Sequence, residues 1–183
     1  MERQLQQTRH KSRQESPYAS QSQHIIVSIE QQQLGLFSGA DCVQYWPVST
    51  SMYGVGNQEN SGKTPLGKHY IRAKIGANCA VNAVFVGRRF TGEIYAPELA
   101  QAHPQRDWIL TRILWLCGKE PGVNRLGRVD SMRRYIYIHG TPDTEPMGEP
   151  RSHGCVRMRN ADIIQLFDKV TAGTPVTLQM QAF

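Results

Sequence analysis

Short stretches of β-branched and aromatic residues, separated by turn-forming residues, recur along the chain and constrain its fold more than any other feature. Residues of these types pack well on the pleated surface of a sheet. The pattern therefore predicts a mainly β domain. Strands are predicted over residues 24–29, 34–37, 43–50, 68–75, 81–86 and 135–139, and the first two are expected to form a hairpin.

Three segments are predicted to be helical. Residues 96–102 form the first, and the apolar residues 107–117 are interpreted as a second helix that packs in the core. Residues 161–170 carry apolar side chains at helical spacing. Asn160 is the predicted N-cap of this third helix, and Gly173 follows it as a stop signal.

Length and composition favour one domain. At 183 residues the chain can bury about 70 % of its unfolded surface in a single core. Residues 1–23 hold almost no apolar side chains and are predicted to be a disordered polar tail, so the expected domain is 24–183. The tail lacks the apolar segment of a secretory signal, and no apolar run of about 18 residues could span a membrane. We therefore expect a cytoplasmic protein, or a periplasmic one if an export segment is missing from this sequence.

Arginines dominate the formal net charge of +6 and are spread along the chain. Arg151, Arg157 and Arg159 surround Cys155 in the sequence, where guanidinium groups suit the carboxylates of a substrate. The remaining basic residues are interpreted as solvated surface. No helix-turn-helix, RNP motif or zinc knuckle is present, so the charge does not predict a nucleic-acid partner.

Cys155 is the candidate nucleophile of the chain. A cysteine is a strong nucleophile only as a thiolate, and a neighbouring imidazole is the usual means of forming one. If Cys155 begins a strand beside residues 135–139, His139 can face it as a cross-strand pair with Cβ atoms about 5 Å apart. His153 lies two residues before Cys155, about 7 Å away in an extended segment, which is poor for direct proton transfer. His139 is therefore the predicted general base.

The turn before Cys155 is predicted to supply an oxyanion hole from the backbone N–H groups of His153, Gly154 and Cys155, because Gly154 permits a tight backbone there. Two other interpretations stay open on local chemistry alone. Cys155 could be a small buried apolar residue, as expected for the other three cysteines. His139, His153 and Cys155 could instead bind zinc, although no CxxC or HxxxH spacing supports this.

Two motifs now carry a resemblance to a known family. IHGT at residues 138–141 and SHGCVRM at residues 152–158, with twelve residues between His139 and Ser152, resemble the active-site signature of the L,D-transpeptidase catalytic domain, the YkuD family. TPLG at residues 64–67 is similar to the TPxG segment of that family. The resemblance covers roughly residues 24–180 and implies a β-sandwich or barrel-like catalytic domain with a few helices.

The resemblance also implies a chemistry. Members of the family attack the bond between meso-diaminopimelate and a terminal D-alanine in peptidoglycan stem peptides, and an acyl-enzyme thioester forms on the cysteine. By position, Cys155 matches the nucleophile, His139 the base, and the backbone carbonyl of Gly140 the group that orients the base. Ser152 and Arg157 match flanking polar positions, which we expect to contact substrate. No cofactor or metal is implied, and carbapenems, which acylate this family, are expected to react with the thiol.

The acyl acceptor separates the functions that the resemblance leaves open. Water gives an L,D-carboxypeptidase that trims soluble tetrapeptides during wall recycling, which is the activity we expect. A side-chain amine gives 3→3 crosslinks or D-amino-acid exchange, and a catalytically silent wall-peptide binder is the third alternative. The sequence distance from Thr64 to His139 exceeds that in the shortest family members, and residues 88–134 lie within it. We expect this region to be an insertion or lid that covers the cleft and restricts the substrate to small peptides.

Overall fold

The structure, a computed structural model, describes residues 22–183. The predicted polar tail, residues 1–23, lies almost entirely outside the described residues, and Gln23 already belongs to the first strand. The elements are β1 (Gln23–Ser28), β2 (Gln33–Ser38), β3 (Asp41–Pro47), β4 (Gly67–Ile75), β5 (Ala83–Val86), β6 (Arg89–Ile94), α1 (Pro97–Ala102), β7 (Ile109–Gly118), β8 (Tyr137–Thr141), β9 (Val156–Arg159), α2 (Asn160–Lys169) and β10 (Pro175–Gln179).

Ten strands form one sheet, so the predicted mainly β fold is confirmed. Along its main path the order is β3-β2-β1-β10-β4-β7-β5-β6, and β8 and β9 continue from β7. The predicted hairpin is present as the antiparallel pair β1 and β2. The pair β8 and β9 is parallel and carries the two motifs of the sequence analysis side by side.

The main core lies between the curled sheet and α2. Its side chains are apolar and almost fully shielded from solvent, which supplies the dominant favourable free energy of folding. Among the largest of them are Ile25, Leu34, Leu36, Ile71, Leu114, Leu116, Ile138, Met158, Ile163 and Leu166.

The predicted helix over residues 107–117 is wrong, because this segment is strand β7. It pairs with β4, β5 and β8 and lies in the middle of the sheet. A strand buried on both faces reads as a continuous apolar run, which periodicity cannot distinguish from a buried helix. β7 is such a strand, with seven of its ten residues buried. The region 88–134 is therefore not an insertion as a whole, since it supplies a central strand.

Helix α1 agrees with the predicted helical segment 96–102 and packs on the sheet. Leu99 and Ala100 pack against the small cluster formed by Val84, Trp108 and Leu110. The preceding strand β6, which pairs with β5 at one edge of the sheet, was not predicted. Neither α-helix in residues 22–183 is long and apolar enough to cross a membrane.

Asn160 begins α2, but it does not cap the helix as the sequence predicted. Its side chain is buried and its Nδ2 donates to Thr141 O at 3.0 Å and to Asn82 Oδ1 at 2.8 Å. Its Oδ1 accepts a hydrogen bond from Thr111 Oγ1 at 2.5 Å. Asn160 therefore joins α2 to β7 and β8, and buried amides are satisfied in this way rather than by local turns.

Gly140 is predicted to tolerate no side chain, because β8 passes close to its neighbours there. A Cβ at this position would lie 2.5 Å from Asn160 Oδ1 and 2.7 Å from Leu110 O. The Leu110 carbonyl belongs to the paired strand β7, which cannot move aside cheaply. We expect Gly140→Ala to lower the free energy of unfolding by about 1–3 kcal/mol in urea titration. A loss below about 0.5 kcal/mol, the range of neutral surface changes, would contradict this packing.

The stability of the folded protein is predicted to fall in acid because of His69. This side chain is fully buried, with Nε2 2.9 Å from Ser131 Oγ and Nδ1 3.0 Å from Gly67 O. Burial lowers the pKa of His69 from 6.5 to about 4. Between these values the unfolded chain binds the proton more readily, so stability falls as the pH falls. For this group the loss between pH 7 and pH 5 is about 2 kcal/mol.

The measurement compares urea unfolding at the two pH values in the parent chain, in His69→Gln and in His103→Gln, whose histidine is exposed. We expect the pH-dependent loss to shrink by about 2 kcal/mol only in His69→Gln. An equal loss in all three proteins would show that His69 does not titrate as its burial requires.

Candidate active site

The register of β8 and β9 sets the position of Cys155 relative to His139. His139 pairs with Arg157, and Ile138 pairs with Val156, the first residue of β9. Cys155 therefore lies just before the strand and two residues away from the partner of His139. The expected direct cross-strand pair of His139 and Cys155 is wrong, and the two are diagonal neighbours, with about 7 Å of chain between Arg157 and Cys155.

Cys155 keeps part of its residue surface accessible to solvent. Its Sγ donates to the backbone carbonyl of Tyr135 at 3.4 Å, and no hydrogen bond joins it to His139 within residues 22–183. Tyr135 has a φ of 57°, which turns its backbone towards the cysteine. Burial of the sulfur raises the pKa of the Cys155 thiol to about 12, so the resting group is a thiol.

His139 is buried and its imidazole is fixed by its own strand. Nδ1 lies 2.7 Å from the backbone carbonyl oxygen of Gly140, as the family resemblance implies for the orienting group. A carbonyl can only accept a hydrogen bond, so Nδ1 carries the proton and Nε2 keeps its lone pair. Burial lowers the pKa of His139 to about 4, and the ring is therefore a neutral base at pH 7.

The turn before Cys155 is held from inside by Ser152 and Thr64. The buried Ser152 hydroxyl donates to Cys155 O at 2.5 Å, and it also accepts a long hydrogen bond from Gly154 N at 3.3 Å. Thr64 Oγ1 donates to Gly154 O at 3.0 Å. Gly154 has a φ of 126°, which favours glycine. Ser152 thus faces the protein and shapes the turn, rather than facing a cleft as a substrate-binding side chain would.

The three arginines predicted to bind substrate have different surroundings. Arg157 is buried, and its Nη2 and Nη1 are paired with Asp107 at 2.7 Å and Glu145 at 3.1 Å. Arg151 is exposed beside Glu149 at 3.4 Å. Arg159 donates to the backbone carbonyl of Asp143 at 3.1 Å. Arg151 and Arg159 are therefore both exposed, whereas Arg157 is buried between two carboxylates of the same chain.

Two cavities adjoin the turn and share His153. The first, of about 340 Å³, has Asp107, Glu145, Arg151 and Arg157 among its lining residues. The second, of about 520 Å³, is lined by Glu59, Asn60, Gly62, Arg133, Arg134, Tyr135, Ile136 and His153. His153 is half exposed and its Nδ1 lies 3.6 Å from Asp107 Oδ2. The cavities therefore reach the Cys155 turn from different sets of neighbours.

Asp107 and Glu145 are site residues that the sequence analysis missed. Asp107 lay within the predicted helix, and Glu145 lay in a loop with no motif, so neither was connected to Arg157 by its place in the sequence. Burial alone would raise the pKa of Asp107, but Arg157, His139 and His153 around it lower that pKa overall. The carboxylate is therefore ionised beside both imidazoles.

The zinc interpretation finds no support in the described part of the chain. No three His, Cys, Asp or Glu side chains converge there in an arrangement that could hold a metal ion. Such convergence is the minimum for a protein zinc site.

Comparison with known proteins agrees with the motifs and with the sheet. The family model for the L,D-transpeptidase catalytic domain, YkuD, matches residues 22–178. A segment of 43 residues is 54 % identical to YbiS of Escherichia coli, named a probable L,D-transpeptidase, and covers 24 % of this chain and 14 % of YbiS. A segment of 46 residues is 41 % identical to the Bacillus subtilis protein YkuD, with 25 % and 28 % of the two chains covered.

A solved structure extends the likeness to the fold. L,D-transpeptidase 3 from Mycobacterium tuberculosis, in complex with a faropenem-derived adduct, superposes with a TM-score of 0.52 at 16 % identity, over 86 % of this chain and 60 % of that chain. The chain thus spans less than two thirds of the relatives that it matches. The family model, in contrast, covers most of its length, and the chain belongs to the L,D-transpeptidase catalytic domain (YkuD) family.

Proposed function

We propose that this protein cleaves the meso-diaminopimelate–D-alanine bond of peptidoglycan tetrapeptides through a thioester on Cys155 that is released by water, as a murein tetrapeptide L,D-carboxypeptidase. One observation carries the catalytic part of the proposal. His139 is buried with Nδ1 held by Gly140 O at 2.7 Å, and it lies on the strand next to the one that follows Cys155. Membership of the family supports the class of substrate.

The first half of the reaction moves one proton and exchanges one bond. Because burial keeps both the thiol and the imidazole neutral, the proton leaves Cys155 for His139 Nε2 as the sulfur attacks the carbonyl carbon. The Sγ must first turn away from Tyr135 O, the acceptor of its resting hydrogen bond. The tetrahedral intermediate then expels D-alanine, whose amine takes the proton from His139, and a thioester remains.

The turn formed by residues 152–155 is the proposed oxyanion hole. Backbone N–H groups of His153, Gly154 and Cys155 supply the dipoles for the oxygen that becomes negative during the attack. The Gly154 N–H has only a 3.3 Å contact with Ser152 Oγ, a weak bond that the oxyanion can replace. The bonds from Ser152 and Thr64 keep the turn in place, so little reorganisation is needed during the reaction.

Access to Cys155 favours water as the acceptor. The residue keeps part of its surface open. Of residues 88–134, the region expected to form a lid, residues 104–108, 133 and 134 line the two cavities beside the turn, whereas α1 lines neither. A thioester on Cys155 would remain open to solvent after D-alanine leaves. Water then attacks with His139 as the base, and the products are the tripeptide carboxylate and the free thiol.

A second function, amine transfer, has its own supporting observation. Two cavities share His153, and two peptide chains could approach the turn from them. A diaminopimelate side-chain amine in place of water would give a 3→3 crosslink.

The cytoplasmic location expected from the sequence stays a prediction.

Incubation with disaccharide-tetrapeptide tests both functions. We expect mass spectrometry to show tripeptide and free D-alanine with the parent chain, and no product with Cys155→Ala. His139→Gln should lower the rate by about 10²–10⁴-fold, because the general base is lost while the nucleophile stays. Cys42→Ala, which removes an exposed thiol on β3, is the matched control and should retain full activity. Crosslinked dimers without net tripeptide would replace the carboxypeptidase with the transpeptidase, and no turnover would overturn both.

A β-lactam provides a test that is independent of the peptide. The Mycobacterium tuberculosis relative is known in complex with a faropenem-derived adduct. We expect faropenem, and carbapenems, to add covalently to Cys155, located by peptide mapping, and to leave Cys155→Ala unmodified. An unmodified parent chain after prolonged incubation would favour a silent peptide binder.

A further inference from the structure

Asp107 is the residue whose contacts the proposed reaction does not yet use. It lies two residues before β7, and its two carboxylate oxygens face different partners. Oδ1 accepts a 2.7 Å hydrogen bond from Arg157 Nη2, and Oδ2 lies 3.6 Å from His153 Nδ1. One carboxylate therefore connects the strand that follows Cys155 with the turn that precedes it.

Arg157 fixes this carboxylate and is not free to bind a substrate. Only 8 % of its side chain is exposed, and both terminal nitrogens are paired with carboxylates of the same chain. Its two ion pairs and its burial leave the side chain little freedom to adopt another position. A buried guanidinium with two carboxylates holds each of them in a defined geometry.

The charge of Asp107 acts on His139 through this arrangement. Arg157 is the direct strand partner of His139, so its positive charge disfavours a second positive charge on the imidazole. Asp107 opposes that effect: its charge raises the pKa of His139, whereas Arg157 lowers it. The same negative charge disfavours the Cys155 thiolate and raises the pKa of that thiol.

We propose that Asp107 is a positioning residue of this site. Held by Arg157, its carboxylate supports the positive charge that His139 acquires when it takes the Cys155 proton, and it keeps the His153 ring at the boundary of the two cavities. The catalytic part of this inference, support for the His139 imidazolium, rests on the proposed function. The charged and titratable groups around Asp107 are Arg157 on β9, His139 on β8, His153 in the turn, Glu145 in the β8–β9 loop, and Arg106 and Arg151 at the cavity.

Glu145 provides the matched control, because it pairs with the same guanidinium. Its Oε2 lies 3.1 Å from Arg157 Nη1, and it is 38 % exposed against 46 % for Asp107. Its charge is not among the influences on the pKa of His139 or of Cys155. If Asp107 only neutralised Arg157, Asp107→Asn and Glu145→Gln would have the same consequences.

The experiment uses two readouts that should move in opposite directions. The first is the rate of Cys155 alkylation by iodoacetamide at pH 8–9, measured by peptide mass spectrometry. Loss of the Asp107 charge makes the thiolate easier to form, so we expect alkylation of Asp107→Asn to be several-fold faster. The second is kcat for tetrapeptide cleavage, which should fall by about tenfold with little change in KM, since support for the imidazolium is lost.

Two further variants make the result specific. Asp107→Glu keeps the charge and should return the alkylation rate close to that of the parent chain. Glu145→Gln should leave the alkylation rate unchanged. Equal effects of Asp107→Asn and Glu145→Gln, or slower cleavage with an unchanged alkylation rate, would overturn the inference in favour of a merely structural role. Alkylation needs no peptide, so it can be measured even if the parent chain does not cleave the tetrapeptide. Faster alkylation of Asp107→Asn together with an inactive parent chain would contradict the proposed function but would support the charge effect of Asp107.

Discussion

The parallel pairing of β8 with β9 is the constraint on which the rest of the site depends. It places His139 opposite Arg157 rather than opposite Cys155, so the strand partner of the base is a buried cation. A cation next to a base that must accept a proton is unfavourable unless a negative charge lies nearby. Asp107 and Glu145 both pair with Arg157, and the charge of Asp107 also acts on His139. The strand register and the ion pairs of Arg157 are therefore parts of one arrangement.

The sequence could predict features whose cause is local. The β1–β2 hairpin follows from residue types, and the Cys155 and His139 motifs are contiguous, so their resemblance to the family was readable directly. Strand β7 could not be predicted in the same way. Its buried residues face two sides of a sheet, and an apolar run carries no signal that separates this environment from a helix interior. Pairing with β4 and β8, which are distant in sequence, makes this segment a strand rather than a helix.

The role of Arg157 could not be predicted for a related reason. A sequence shows where a charge lies along the chain, but it does not show which partner neutralises that charge. Arg157 lies 50 positions from Asp107 and 12 positions from Glu145, and no sequence motif links the three residues. Carboxylates were expected from a substrate, and the protein supplies them itself. Asn160 shows the same limit, since its amide bonds to Thr141 and Asn82 across the fold rather than to its own helix.

Burial of Cys155 and His139, the proposed catalytic pair, has a consequence for how such a site would work. Burial of Cys155 and His139 favours the neutral form of each, so a stable ion pair between them is not expected before substrate arrives. The proton must move during the attack, at the moment when the oxyanion and the imidazolium both need support. In the proposed mechanism, backbone dipoles of the Cys155 turn meet the first need, and the Asp107 carboxylate meets the second. In that mechanism the thiol stays protonated at rest and loses its proton as a substrate carbonyl reaches the turn, so the timing of proton transfer and of bond formation is set by the same contact.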